Sequence, residues 1–284
     1  MSDVTIVTDA SADLPAEVAE GLGVLVAPIG YEVGGRHLLN TDQTPGQLYD
    51  AIEASGPAQV SGVSAEAFEG AFRAAAQRTK HIICICQSIG SSHTRVSAEV
   101  AARNATADTG VAVKIVSPGR GGPGLAAIVL AAARCLADAG PGEALAVVER
   151  LSGAADALIV AGGLEQLERA GQLALLRAQS THGSLDDGVS VFRVRGNLSV
   201  WGVHPDAEAA ERAVVARAEE LSGGRAAYAV VTHALAPAAA ERLAAAVRAR
   251  LEVREVIITQ IGPALACLLG RGSYGLGVCA ASEG

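Results

Sequence analysis

One stretch constrains this 284-residue chain more than any other: His81 to Asn104, reading HIICICQSIGSSHTRVSAEVAARN. Ile82 to Cys86 is an apolar run of strand length, Gln87 to Ser92 a polar break containing glycine, and Thr94 to Asn104 repeats Ala and Val at helical spacing. Strand, serine-rich turn and helix in that order make a βα unit of an open α/β sheet. A turn that opens a helix presents unpaired backbone N–H groups and the positive end of the helix dipole. Hydroxyls at Ser88, Ser91, Ser92 and Thr94 add donors, so the place suits a carboxylate or phosphate. The plainer reading is that Ser92 caps the helix.

The units before it follow the same plan. Val4 to Thr8 reads as a strand, with Asp9 at the carboxyl end where open α/β sheets place their ligands. Asp9 and Ser11 are therefore candidate ligand contacts, against ordinary turn and cap chemistry. Asp13 with Pro15 marks a helix start, with Glu17 in its first turn. Val24 to Val33 is extended but interrupted by Pro28, and Thr44 caps a helix running to Ala54. Val60 to Ser64 reads as a small-polar turn opening a helix from Ala65 to Arg78. Ser64 is its N-cap, which leaves Ser61 unexplained. Two such turns facing one another across the strand ends would make a stronger anion site than either alone.

Val111 to Ser117 is a further strand, then Gly119-Arg120-Gly121-Gly122-Pro123-Gly124 and a helix from Leu125 to Ala139. This is a literal G-x-G-x-x-G between strand and helix. Pro123 removes an amide the phosphates would use, and no acidic strand end follows at the right distance. Gly270 to Gly275 matches the same pattern with no helix behind it, so nucleotide binding ranks low. A serine hydrolase ranks lower, because G-x-S-x-G is absent around Ser88, Ser91 and Ser92.

A helix from Gly142 to Gly153 closes the first half. Beyond it the plan changes: a strand from Ala157, a helix from Leu164 to Arg169, and a hairpin over Val189 to Val203 turning at Gly196-Asn197. Helices Asp206 to Leu221 and Pro237 to Leu251 alternate with strands Ala227 to Thr232 and Glu255 to Ile261. The expected fold is α/β in two domains, a parallel, Rossmann-like βα domain over residues 1–155 and a mixed α/β domain over 156–284, with the ligand site at their interface.

Composition narrows the function. The chain is 50% hydrophobic but only 3% aromatic, so Ala, Val, Leu and Ile must build the core. A formal net charge of −8 argues against nucleic acid or an anionic membrane as partner. Five cysteines at scattered positions are no disulfide framework, and six isolated histidines offer no metal site. With no charged leader and no run of 18 apolar residues, the chain reads as soluble and cytoplasmic.

The ordered set of motifs resembles the DegV family over nearly the full length. It comprises Val7-Thr8-Asp9-Ala10-Ser11 with Asp13-Leu14-Pro15, the Val60 to Ser64 turn, and Ser92-His93-Thr94 with Ser97-Ala98. Leu164-Glu165-Gln166-Leu167 with Ala170-Gly171-Gln172, the Arg195-Gly196-Asn197 hairpin, and Gly262-Pro263 with Gly270 and Gly272 complete it. The resemblance implies a two-domain carrier that buries one long-chain fatty acid, with no other cofactor, no catalytic residue of its own and no metal. It also implies a separate ATP-dependent fatty acid kinase as partner. By position the carboxylate would be held by the Val60 backbone, Ser61, Ser92, His93 and Thr94. The chain departs from the family pattern where Val60 replaces a threonine, His93 a glycine, Gln172 an arginine and Leu268 a histidine. The alternative is a divergent member that binds another small apolar or anionic ligand without a kinase.

Overall fold

The computed structural model describes residues 4–87, 93–135 and 141–281. The first half runs β1 (Val4–Asp9), α1 (Ala16–Gly21), β2 (Leu25–Ala27), β3 (Gly30–Val33), β4 (Arg36–Leu39), α2 (Pro45–Ser55), β5 (Gln59–Gly62) and α3 (Ala65–Ala76). It continues with β6 (His81–Ile85), α4 (Thr94–Thr109), β7 (Ala112–Val116), α5 (Pro123–Cys135) and α6 (Pro141–Gly153). The second half is β8 (Ala155–Val160), α7 (Glu165–Arg169), α8 (Leu173–Gln179), β9 (Val189–Arg195), β10 (Asn197–His204), α9 (Ala207–Ser222), β11 (Ala227–His233), α10 (Pro237–Arg250), β12 (Val253–Gln260), α11 (Pro263–Ala266) and β13 (Tyr274–Ala280).

Three sheets result. The first, β2-β1-β6-β7, is parallel throughout, and the largest, β10-β9-β8-β13-β11-β12, is mixed. The chain is therefore α/β with a parallel sheet first and a mixed sheet second, as expected, and β8 opens the second sheet at Ala155. A small antiparallel sheet, β4-β3-β5, was not expected. Pro28 explains half of it. Proline withholds a ladder donor, so the extended run breaks there and its two pieces join different sheets. The other half is a correction: Val60 to Gly62 is not a turn but part of β5, paired with β3.

Alternation along the strands sorts the cores. Val7, Ile82 and Cys84 face Phe68 and Phe72 of α3 and Ala98, Ala101 and Ala105 of α4. Ile6, Ile83 and Ile85 face the other way, onto α5. Every residue of α5 from Pro123 to Ala132 is buried, the state of a helix apolar on all sides. Its far side meets Tyr228, Val230 and Cys279 of the mixed sheet, so α5 is shared by both sheets. Helices α9 and α10 cover the opposite face of the mixed sheet through Val214, Leu243 and Val247. The small sheet, α2, α8 and α11 close over Ala157, Ile159 and Phe192.

Candidate functional site

Helices α3 and α4 do start side by side. Ser64 caps α3 by accepting from the Ala67 N–H at 3.2 Å, and the Val63 N–H donates to Thr94 Oγ1, on the first residue of α4, at 3.1 Å. Thr94 is fully buried, and the Gln87 side chain also reaches its hydroxyl, at 3.4 Å. Ser88, Ser91 and Ser92 lie outside the described residues.

Beside these helix starts is a cavity of about 780 Å³. Val60, Ser61 and Gly62 of β5 form one wall, and Gln87 and His93 another. Gln172 with Leu175, Leu176 and Gln179 of α8, Asn197 and Leu198 of the hairpin, and Ala264, Cys267 and Leu268 complete it. Val60, Ser61 and His93 thus meet in one place with Gln172 and Leu268, two positions far away in sequence. The described lining contains no Lys, Arg, Asp or Glu. Its volume falls in the usual range for small-molecule sites, about 300–1,000 Å³. Among the described residues, the lining offers a carboxylate dipoles, hydroxyls, amides and the His93 ring. Burial pushes the Cys267 thiol up to about 12, so it is a packing group and not a nucleophile near neutrality.

Asp9 and Ser11 are placed elsewhere. Both are fully buried and absent from the cavity lining. Asp9 Oδ1 accepts from the Ser11 N–H at 3.0 Å and from its hydroxyl, and Oδ2 accepts from the Gln87 N–H at 2.7 Å. The side chain ties the end of β1 to the chain leaving β6. Burial raises its pKa, and the Ser11 and Gln87 bonds pull against that. The helix start read at Asp13 and Pro15 holds, with Pro15 in the capping position of α1 and Glu17 in its first turn. The glycine-rich loop is filled by protein. The buried Arg120 guanidinium donates to the Ala155 carbonyl at 2.8 and 3.1 Å and to Pro118 O at 3.1 Å. A Cβ on Gly122, whose φ is 53°, would overlap Leu265.

Sequence reasoning missed the α8 side of the cavity. The signal was present in Leu173-Ala174-Leu175-Leu176, an apolar run directly after Gln172. Leu175 is 52% exposed although it is a large apolar residue, and it borders the cavity mouth.

Comparison with known proteins is consistent over the whole chain. The family model described as uncharacterised protein, DegV family, matches residues 3–281. A DegV domain-containing protein of Mycobacterium tuberculosis is 29% identical over 288 residues, covering 96% of each chain. One from Streptomyces coelicolor is 28% identical over 283 residues, covering 96% of this chain and 97% of its own. Among solved structures, a fatty-acid-binding DegV family protein from Thermus thermophilus superposes with a TM-score of 0.84 at 25% identity, covering 99% of this chain and all 100% of that one. DegV of Bacillus subtilis, a fatty acid binding protein, shares the fold with a TM-score of 0.79 at 18% identity, covering 99% of this chain and 100% of its own.

Proposed function

We propose that this chain, which belongs to the DegV family, is a carrier that holds one long-chain fatty acid in the cavity between β5, α4, α8 and α11. The observation that carries the reading is the meeting of Val60, Ser61, His93, Gln172 and Leu268 around one uncharged, half-apolar cavity. The carboxyl end belongs at the paired helix starts, with Ser61, Ser92, His93 and the Val60 backbone as its partners and Thr94 holding the two starts together. The tail belongs against Leu176, Leu198 and Leu268, where each buried methylene contributes about 0.8 kcal/mol. Presentation to a separate fatty acid kinase, with acyl phosphate made by that partner, is the further step.

A second reading has its own observation. Val60, Gln172 and Leu268 withhold a hydroxyl and two charges from this cavity, which favours another small apolar or anionic ligand and no kinase. Native mass spectrometry of the purified protein, followed by denaturing extraction, separates the two. A mass excess that extracts as a long-chain fatty acid supports the carrier. A protein that is empty and takes up no added palmitate favours the second reading.

A further inference from the structure

Three of the lining residues, Ala264, Cys267 and Leu268, come from α11 and the turn that ends it. A helix of 4 residues does not hold itself in place, since isolated helices shorter than about 12–15 residues are marginal in water. What seats α11 is reached from the other end of the chain. The backbone N–H of Gly262, its capping residue, lies close enough to the Asp13 carboxyl to act against the rise in that group's pKa. Thr259 Oγ1, near the end of β12, donates to the Asp13 backbone carbonyl across 246 residues of sequence. Asp13 adopts the left-handed region at φ 53°, which costs a non-glycine residue free energy and is best tolerated by Asn and Asp. A side chain at 262 would overlap Asp13 Oδ1, so glycine there is what permits the approach. The second oxygen, Oδ2, is buried with no hydrogen-bond partner among the described residues.

We infer that Asp13 is a positioning residue for the cavity: by holding Gly262 it seats α11, and through α11 it sets the wall formed by Ala264, Cys267 and Leu268. The inference rests on the fatty-acid reading for its ligand, and on Asp13 for its geometry. It also makes that wall sensitive to the charge on Asp13. Asp9 lies behind the carboxyl, and Tyr49 of α2 is near enough for Asp13 to raise its pKa. Asp13 borders a second cavity, which Glu17 of α1, Tyr31 of β3 and His233 of β11 also line. No Lys or Arg joins them among the described residues. Burial, with a smaller push from Asp9, raises Asp13 to about 8. Near neutrality the group is therefore protonated, and ionisation above that point charges the seat of α11 with no cation in the lining to oppose it.

The test is palmitate affinity of the wild type, Asp13→Asn and Asp13→Gly from about pH 6 to about pH 9, a span that brackets the Asp13 titration. Asn keeps an acceptor for Gly262 and tolerates the left-handed turn; Gly keeps the turn and removes the acceptor. Asp13→Gly is expected to bind palmitate about tenfold more weakly, the cost of one hydrogen bond to a positioned group. Asp13→Asn should match the wild type at the acid end and bind more tightly at the alkaline end. A folded Asp13→Gly variant that binds like the wild type overturns the inference, as do parallel pH profiles for wild type and Asp13→Asn. Should Asp13→Gly fail to fold, that pH comparison decides alone. If not even the wild type binds palmitate, the ligand reading fails and the seat is read separately, from mass-mapped alkylation of Cys267 by N-ethylmaleimide, which reaches the thiol only when the turn after α11 opens and frees it from burial. Faster alkylation in Asp13→Gly than in Asp13→Asn supports the seat, and equal rates overturn it.

Discussion

Ser61 and Thr94 both carry hydroxyls at the paired helix starts, and they do different work. Thr94 is fully buried and accepts from the Val63 N–H, whereas Ser61 is exposed on β5 at the cavity wall. Thr94→Val leaves that N–H without its partner, which costs about 1–3 kcal/mol for a buried group. The expected outcome is a lower urea midpoint, read by circular dichroism. Ser61→Ala should leave the midpoint where it is and weaken palmitate binding by about tenfold, the lower end for a lost hydrogen bond to a charged group. Equal affinity in Ser61→Ala would take the carboxylate away from β5. The two substituted positions that share the cavity with Ser61 support a third expectation. Gln172→Arg with Leu268→His places two cationic or titratable groups in a lining that has no Lys or Arg among its described residues. Acyl-phosphate formation with a fatty acid kinase should rise in that double variant, measured as phosphate transferred from labelled ATP, if kinase delivery is the task.

At the level of elements, glycine placement decides where the sheets meet. Gly277 sits in the middle of β13, the strand between β8 and β11, and a Cβ there would overlap the Pro123 carbonyl at the start of α5. Gly277→Ala must push α5 off the mixed sheet. Overpacking of this kind costs about 1–3 kcal/mol, and because the neighbour is backbone the upper end is expected, read as a fall in the urea midpoint. The same glycines hid this strand from the sequence. Tyr274 to Ala280 contains Gly275 and Gly277, which weaken any strand signal and read as a loop, although the strand is central and buried. Strands without that handicap were legible: Val4 to Thr8, Ile82 to Cys86 and Ala227 to Thr232 are apolar runs bounded by turn residues, and each matches its strand to within one residue at either end. Helix starts were legible wherever a side chain does the capping, as with Thr44, Ser64 and Asp206. The small antiparallel sheet was not, because β4, reading Arg36-His37-Leu38-Leu39, is mostly exposed and alternates poorly. Of the cavity, β5 and the start of α4 could be picked from motif order. Gln172 and Leu268 were placed by the same order, but α8 and α11 themselves were harder to pick, since helices of 7 and 4 residues that are mostly Leu and Ala look like any core segment.

Across the whole molecule, buried titratable groups set how stability should change with pH. The unfolded reference for Asp13 is 3.8 and its folded value is about 8. Between those two values the folded chain holds a proton that the unfolded chain has released. Stability from this group is therefore fully present below about pH 4, declines as pH rises, and is lost once pH passes about 8. Asp9, also raised by burial, has the same sign. Asp156 has the opposite one. Burial pushes it up, but the Arg193 hydrogen bond and charge, helped by Arg217, bring it below the usual carboxylate value. Its contribution is present above 3.8 and lost as pH falls through its folded value. His204 and His233, both lowered by burial, likewise contribute above 6.5 and lose it on acidification. The wild-type profile mixes these terms, so the difference between wild type and Asp13→Asn is the informative quantity. Asn carries no proton in either state, and the linkage from position 13 disappears. Asp13→Asn should therefore gain stability relative to the wild type steadily from about pH 4 to about pH 8, with a constant difference above that. Urea midpoints of both proteins across that range check it. A difference independent of pH would mean that Asp13 is ionised in the folded protein throughout, with Gly262 and a neighbour for Oδ2 carrying its charge.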